Sequence, residues 1–434
     1  MIDTTYNKDL VQQDIENAAY TKVTWRLIPF LFLCYVFAYL DRVNVGFAKL
    51  QMLSDLKFSE TIYGLGAGIF FIGYFLMEVP SNLALHRFGA RKWIARIMIS
   101  WGIISAAMIF VKTPTMFYIL RFFLGVAEAG FFPGIILYLT YWYPASRRSK
   151  ITALFMTGIP IAGVVGGPLS GWILQRFHNV NGMPGWQWLF LLEAIPSLVT
   201  GVVTFFYLND KIGDAKWLST EEKALLERGL ANETSKIEVH NASGAFKSGR
   251  VWVLCACYFG IIMGLYGISF WLPSLIKASG VTDALDIGLL TMIPYGFAAV
   301  AMVMIGRSSD RTKERRWHVA VPAVIGAVGL VLSTFVPHQP ALAVMALTLA
   351  TVGILGALCQ FWSIPPAFLG GAAAAAGIAL INSVGNLAGF VSPYVVGWIK
   401  DATQSTDIGL YCITVSLIAA ALIVLTIPKE VVNH

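Results

Sequence analysis

Six ionisable residues stand inside long apolar runs of this chain: Asp41, Arg42, Glu78, Arg121, Glu128 and Glu193. All fall in the first half of the 434 residues, and the second half has none away from the ends of such runs. In a bilayer-spanning run each such charge costs about 2.5–3.5 kcal/mol on the translocon scale, so its retention points to function. The chemistry open to this set is charge recognition and proton exchange. A guanidinium binds a carboxylate through two parallel hydrogen bonds. A carboxylate in a low-dielectric cavity is driven neutral by desolvation and ionised by a nearby arginine. Together they can hold an organic anion and let a proton come and go. The sequence shows no metal-ligand cluster, nucleophile set or phosphate loop, so an enzyme is not expected.

Spacing sorts the six. Asp41 and Arg42 are neighbours in "YLDRVNVGFA", so on a helix they point about 100° apart and do not pair with each other. Arg42 shares a stripe with Tyr35, Tyr39 and Gly46, which reads as the wall of an aqueous cavity. Asp41 shares one with Cys34, Ala38 and Val45 and is expected against a neighbouring helix, span four. The alternative is an interfacial pair whose charges reach water at a helix end. Arg121 and Glu128 weigh against it: they lie seven residues apart, on one face of another run, with Gly125 between them. At ~1.5 Å per residue, Arg42 and Arg121 reach comparable depths.

Glu78, just before "VPSN", reads as a partner for loop arginines, and Glu193, in "WLFLLEAIPS", as a fixed structural or interfacial carboxylate. The second half offers neutral groups: Gln360, Trp362 and Ser363, then Asn382, Ser383 and Asn386, with Tyr266, Trp271 and Tyr295. Asn382 stands foremost, because a polar run in mid-span needs partners.

The elements that must position these residues are membrane helices. Charged residues make up 13% of the chain and apolar ones 57%, with mean hydropathy +0.69, against about 25% charged in soluble domains. Twelve spans are expected, near 26–48, 60–85, 93–111, 115–140, 150–175, 187–208, 250–276, 285–306, 318–336, 340–365, 372–399 and 408–427. The expected plan is an all-α polytopic membrane protein with two pseudo-symmetric six-helix bundles, 26–208 and 250–427. A tail of 1–25, a linker of 209–249 and a tail of 428–434 complete it. Ser219 with Glu222 in "WLSTEEKALLERGLANE" is a capping box, so the linker should carry a short helix.

Of the 31 Lys and Arg residues, 23 fall on the side of the termini, six on the other, and Arg42 and Arg121 within spans. Positive charge marks the cytoplasmic side, so both termini are expected in the cytoplasm. The net charge of +7 is thereby accounted for without nucleic acid. The polar first residues, with Asp3, Asp9, Asp14 and Glu16, are unlike a signal peptide. Five cysteines within apolar segments give no disulfide framework.

The halves look like copies. Gly64 and Gly288, Arg87 and Arg311, and Trp93 and Trp317 are each 224 residues apart, and "GWI" at 171–173 recurs at 397–399. Repeated bundles with a site between them are a transporter plan. The glycines of span five, from Gly158 to Gly171, read as a rocking interface.

These stretches resemble a known family. "GRSSDRTKERR" at 306–316 resembles the loop motif of the major facilitator superfamily. Its first-half counterpart departs from that motif, with Asn82 where glycine is usual and His86 where aspartate is usual. More narrowly, "YLDRVNVGFA", "GYFLMEVPSN", "RFFLGVAEAGFFPGIILYLTYW" and "GWQWLFLLEAIPS" resemble the anion:cation symporter family, in its branch of tartrate, hydroxyphenylacetate and sugar-acid permeases. The resemblance implies proton coupling by Asp41 and Glu128, carboxylate handling by Arg42 and Arg121, and cavity positions for Tyr74 and Asn382. Tyr39, Gln360 and Trp362 complete the expected binding set, and Arg87, Asp310 and Arg311 the gating loop. Ile159 stands where sugar-acid members carry a glutamine, so a smaller or more apolar acid is admissible.

The expectation is thus a monomeric inner-membrane symporter that takes up a small organic carboxylate with protons, by alternating access and without a cofactor. A proton-driven anion exporter and a transporter-like anion sensor are the alternatives.

Overall fold

In the computed structural model, residues 2–234, 248–365 and 371–432 are described. Among the described residues, twelve helices are long and apolar enough to span a membrane: Asp14–Leu56, Glu60–Phe88, Ala90–Phe110, Pro114–Thr140, Leu154–Arg176, Gly185–Tyr207, Gly249–Ala278, Ala284–Thr312, Trp317–Thr334, Pro340–Phe361, Gly377–Thr403 and Asp407–Leu425. They are spans one to twelve below. The chain is an all-helical, multi-pass membrane protein, and no strand is formed among the described residues. An even number of spans leaves both ends on one side, called here the terminal side; the other is the far side. Outward faces are apolar, as at Phe206, Met304 and Val415, which suits lipid.

Several span edges differ from the sequence expectation. Span one runs to Leu56, eight residues past the expected end, because Lys49 and Asp55 do not stop the helix. Both charges find partners there: Lys49 Nζ lies 2.7 Å from Glu60 Oε2, and Asp55 Oδ2 accepts from Trp186 Nε1 at 2.9 Å. Span four is broken in the middle. Its first segment, Pro114–Glu128, ends where Ala129 leaves the helical region, and Gly130 follows at φ +85, which favours glycine. The break leaves Glu128 at a helix C-terminus, where the peptide dipoles disfavour an anion, so a cation must face it.

The repeat seen in the sequence becomes two seams on the far side. Gly64 of span two packs against the Pro393 backbone of span eleven, and Gly288 of span eight against the Gly167 backbone of span five. Lower on the same seams, Gly397 meets the Glu60 carbonyl and Gly171 the Ala284 carbonyl. A Cβ at any of these glycines would overlap the opposing backbone. Small residues let the helices approach this closely, and dispersion then holds them together. Along both seams the far side is shut.

On the terminal side, the capping box forms as expected. Glu222 N donates to Ser219 Oγ at 3.1 Å, and Ser219 N to Glu222 Oε2 at 2.7 Å. Lys22 Nζ then pairs with Glu222 at 3.1 Å, tying the linker helix Thr220–Thr234 to span one. The Ser219 amide, and after it Lys22, hold the Glu222 carboxyl below the usual glutamate range. Linker residues 235–247 lie outside the described residues.

Candidate functional site

Arg42 is the hub. Its Nε donates to Glu128 Oε1 at 3.1 Å, its Nη2 closes an ion pair with the same oxygen, and its Nη1 donates to Tyr266 OH at 2.9 Å. The guanidinium also lies 5.4 Å from the Phe70 ring centroid and 5.5 Å from that of Tyr74. Arg42 is 8% exposed and Glu128 1%. Arg42 therefore supplies the cation that the broken end of span four requires, and at the same time reaches span seven in the other half. Tyr39, on the Arg42 stripe, makes a parallel crossing: its hydroxyl is 2.8 Å from Ser269 Oγ.

Asp41 is not against span four. Trp101 Nε1 and Ser105 Oγ of span three donate to it at 3.0 Å each, and Ser197 Oγ of span six at 2.5 Å. The 100° turn from Arg42 predicts that Asp41 leaves the cavity face; it does not say which neighbour waits there. The donors decide it, since a buried carboxylate goes where hydroxyl and indole protons satisfy it.

Arg121 also lies off the Arg42 face. It is fully buried, and its Nε and Nη2 donate to the carbonyls of Gly66 and Ala67 at 3.2 Å each. Nη1 has no partner, and the guanidinium remains within electrostatic reach of Glu128. Gly125 allows this geometry, since it seats span four directly on the Phe70 backbone of span two.

Glu78 overturns its sequence reading. No loop arginine holds it; Asn382 Nδ2 donates to Oε1 at 2.7 Å and Ser383 Oγ to Oε2 at 2.9 Å. A carboxylate of the first half is thus clamped by the polar run of span eleven, and the mid-span polarity of "INSVGN" finds its partner there. Tyr74 lies one turn before Glu78 and faces Arg42, so both share one side of span two. Gln360 and Trp362 sit at the terminal-side end of span ten rather than beside Arg42, with Trp362 edge-on to Tyr258 at 4.9 Å.

Of the expected gating residues, Asp310 accepts from Arg315 Nη1 of its own loop at 2.6 Å, and Arg87 lies 5.7 Å from the Phe88 ring. In the first-half loop the acid comes from elsewhere: Asp210 Oδ1 accepts from the Arg91 amide at 2.8 Å. Asp210, just past span six, stands in for the carboxylate that His86 does not provide.

Lys49, one residue past the expected end of span one and so one of the six basic residues counted on the far side, is a site residue that the apolar pattern alone does not single out. It is 5% exposed, with Nζ 3.4 Å from the Trp271 ring centroid. Glu60 bridges Lys49 and Lys400, the latter at 2.5 Å, while Asp401 accepts from the Glu60 and Thr61 amides at 3.1 and 2.7 Å. The signal was available: Lys49 lies seven residues from Arg42, on the same helical face. Among the described residues no group of His, Cys, Asp or Glu is arranged to hold a metal ion.

The family model described as Major Facilitator Superfamily matches residues 31–393. A protein of Pseudomonas putida provisionally named metabolite transport protein NicT is 50% identical, over 99% of each chain. A provisionally named tartrate transporter of Agrobacterium vitis is 48% identical, covering 97% of this chain and 94% of its own. A quinolone resistance transporter of Acinetobacter baumannii is 42% identical, over 93% and 94%. Among solved structures, the xylose transporter XylE from E. coli, in a partially occluded inward-open conformation, aligns with TM-score 0.70 at 14% identity, covering 93% of this chain and 98% of that one.

Proposed function

The chain belongs to the Major Facilitator Superfamily and is a membrane transporter rather than an enzyme, and from that premise we propose that it is a proton-coupled symporter that imports a small organic carboxylate. One observation carries the reading: Arg42 is held by a carboxylate of one half and a phenol of the other, Glu128 and Tyr266. Protonating Glu128 removes the charge that occupies the guanidinium and frees it for a carboxylate of the substrate. Proton and anion then bind in support of each other and travel together.

Arg121 adds a second positive charge behind Glu128, favouring anion over cation. Asp41 is the second proton-coupling carboxylate of this reading, acting on span one from behind Arg42. Tyr39, Tyr74 and Asn382 complete the cavity lining on this reading. The relative named for tartrate transport supports a small carboxylate as cargo. The distribution of basic residues, 23 against five once the buried Lys49 is set aside, supports a cytoplasmic terminal side in the inner membrane. The closed far-side seams then correspond to a state shut toward the outside.

The test is uptake into proteoliposomes under an imposed inward pH gradient, with tartrate, hydroxyphenylacetate and aldonates as the panel. Uptake of at least one acid that collapses with the gradient is expected; active protein that moves none of them sinks the reading. A second reading, proton-driven export, is favoured by the Acinetobacter relative named for quinolone resistance. It predicts efflux that follows the inward proton gradient.

A further inference from the structure

Glu193 plays no part in the site above, yet it is not a fully satisfied structural carboxylate. It is 4% exposed in span six, and Ser170 Oγ of span five donates to Oε1 at 2.6 Å. Oε2 is buried without a hydrogen-bond partner. Asn44 of span one stands beside it, 1% exposed, near enough to lean on the carboxylate but with neither amide atom in good hydrogen-bond geometry. Polar atoms this deeply buried and this poorly satisfied are costly unless something mobile completes their bonding.

A cavity adjoins Asn44 and Ser170, the two side chains beside Glu193, while Glu193 itself stands behind them and outside its lining. The cavity lies between spans one, five, seven and eight, and its polar lining is Asn44, Ser170, Ser269, Thr291 and Tyr295. It offers about 20 Å³ to water centres, above the ~10–15 Å³ that one water needs. Gly163, Gly166 and Gly167 leave this room on span five. Ser269 continues the polar lining to Tyr39 OH, on the Arg42 stripe. The cavity also sits on the seam where Gly167 meets Gly288, so parting that seam opens it toward the far side.

The groups facing Glu193 are Asp41 and Asn44 from span one and Ser170 from span five; only Asp41 is titratable, and none is a cation. Ser197, one turn along span six from Glu193, donates to Asp41. Glu193 and Ser197, the donor to Asp41, thereby share one face of span six.

The geometry points to Glu193 as a proton-exchanging carboxylate served, by way of Asn44 and Ser170, by water in this chamber, additional to Asp41 and Glu128. The step is balanced: Glu193 carboxylate takes a proton from hydronium, giving the carboxylic acid and water, and returns it by the reverse. Only the use of that proton in a transport cycle rests on the symport reading; the titration does not.

The experiment is infrared titration of the purified full chain in lipid nanodiscs, following protonated-carboxyl bands in light and heavy water. Glu193→Gln is expected to remove one band that responds to pH in the wild type. Asn44→Leu, which fills the chamber and keeps the carboxylate, is expected to slow hydrogen–deuterium exchange of that band severalfold. Ser170→Ala is expected to move the same band, assigning it even where the glutamine variant fails to fold. A pH-difference spectrum unchanged by Glu193→Gln, exchange unchanged by Asn44→Leu, or a band unmoved by Ser170→Ala would each overturn the proposal.

Discussion

Arg42 of span one and Tyr266 of span seven, joined by a 2.9 Å hydrogen bond, are 224 residues apart. That is the offset at which the two halves repeat. The bond therefore joins equivalent positions of two copies, and such positions meet only close to the axis relating them. One copy has put a guanidinium there and the other a phenol, so the repeat is symmetric in backbone and asymmetric in charge. The first prediction concerns this junction.

Arg42→Ala is expected to abolish binding of the carboxylate. It also strands Glu128 without its ion-pair partner in a buried place, which costs about 3–5 kcal/mol. Arg42→Lys restores charge but not the two-pronged geometry, and is expected to recover stability more than binding. Thermal shift against the panel of acids reads both effects, and a variant Arg42→Ala that binds like wild type contradicts the assignment.

Glu128→Gln should behave differently. The amide cannot be ionised, so Arg42 stays available and binding is spared, while coupling to the proton gradient is lost. Counterflow exchange that persists while gradient-driven accumulation disappears is the expected pattern. Retained accumulation would place the coupling proton elsewhere.

Glu60→Gln removes the anion between Lys49 and Lys400. Two like charges are then left facing each other across spans one and eleven. The far side is expected to open more often, read as a longer spin-label distance between positions 57 and 403. An unchanged distance would show that the glycine seams alone keep it shut.

Glu222 gives a pH effect on the linker. Its carboxyl is held below the usual range, so its contribution is fully present above the unfolded value of about 4.3 and is lost as pH falls through the lower folded value. The helix Thr220–Thr234 should loosen from span one in that acid window, and Glu222→Gln should loosen it already at neutral pH. A spin label at position 227 reads the change as faster motion.

Much of this was legible from spacing. The divergence of Asp41 and Arg42 follows from helical geometry, the Ser219–Glu222 cap from a four-residue pattern, and the seams from glycines recurring at a fixed offset. Neighbours were not legible. Periodicity says which face of a helix a residue occupies, but the partner on that face depends on how twelve helices pack. The face of Asp41 thus points to span four as readily as to spans three and six, where its donors stand. Glu78 reads from sequence as a partner of nearby arginines because its true partners, Asn382 and Ser383, are more than 300 residues away. Lys49 reads as a loop charge from sequence because its helix runs on beyond the apolar stretch.

The two far-side seams are related by the repeat but are not equally fastened. The seam of spans two and eleven has an ionic clasp in Lys49, Glu60 and Lys400. That of spans five and eight has a single polar contact at its rim, Gln175 with Asp283 at 2.5 Å, and no ion pair among the described residues. Dissolved salt weakens attraction between charges, here at the part-exposed Lys400–Glu60 arm more than at the buried Lys49, and leaves close-packed glycine backbones alone. Ionic strength therefore acts on one edge of the closure, which makes the doorway lopsided: one jamb answers to the medium, the other to fit alone.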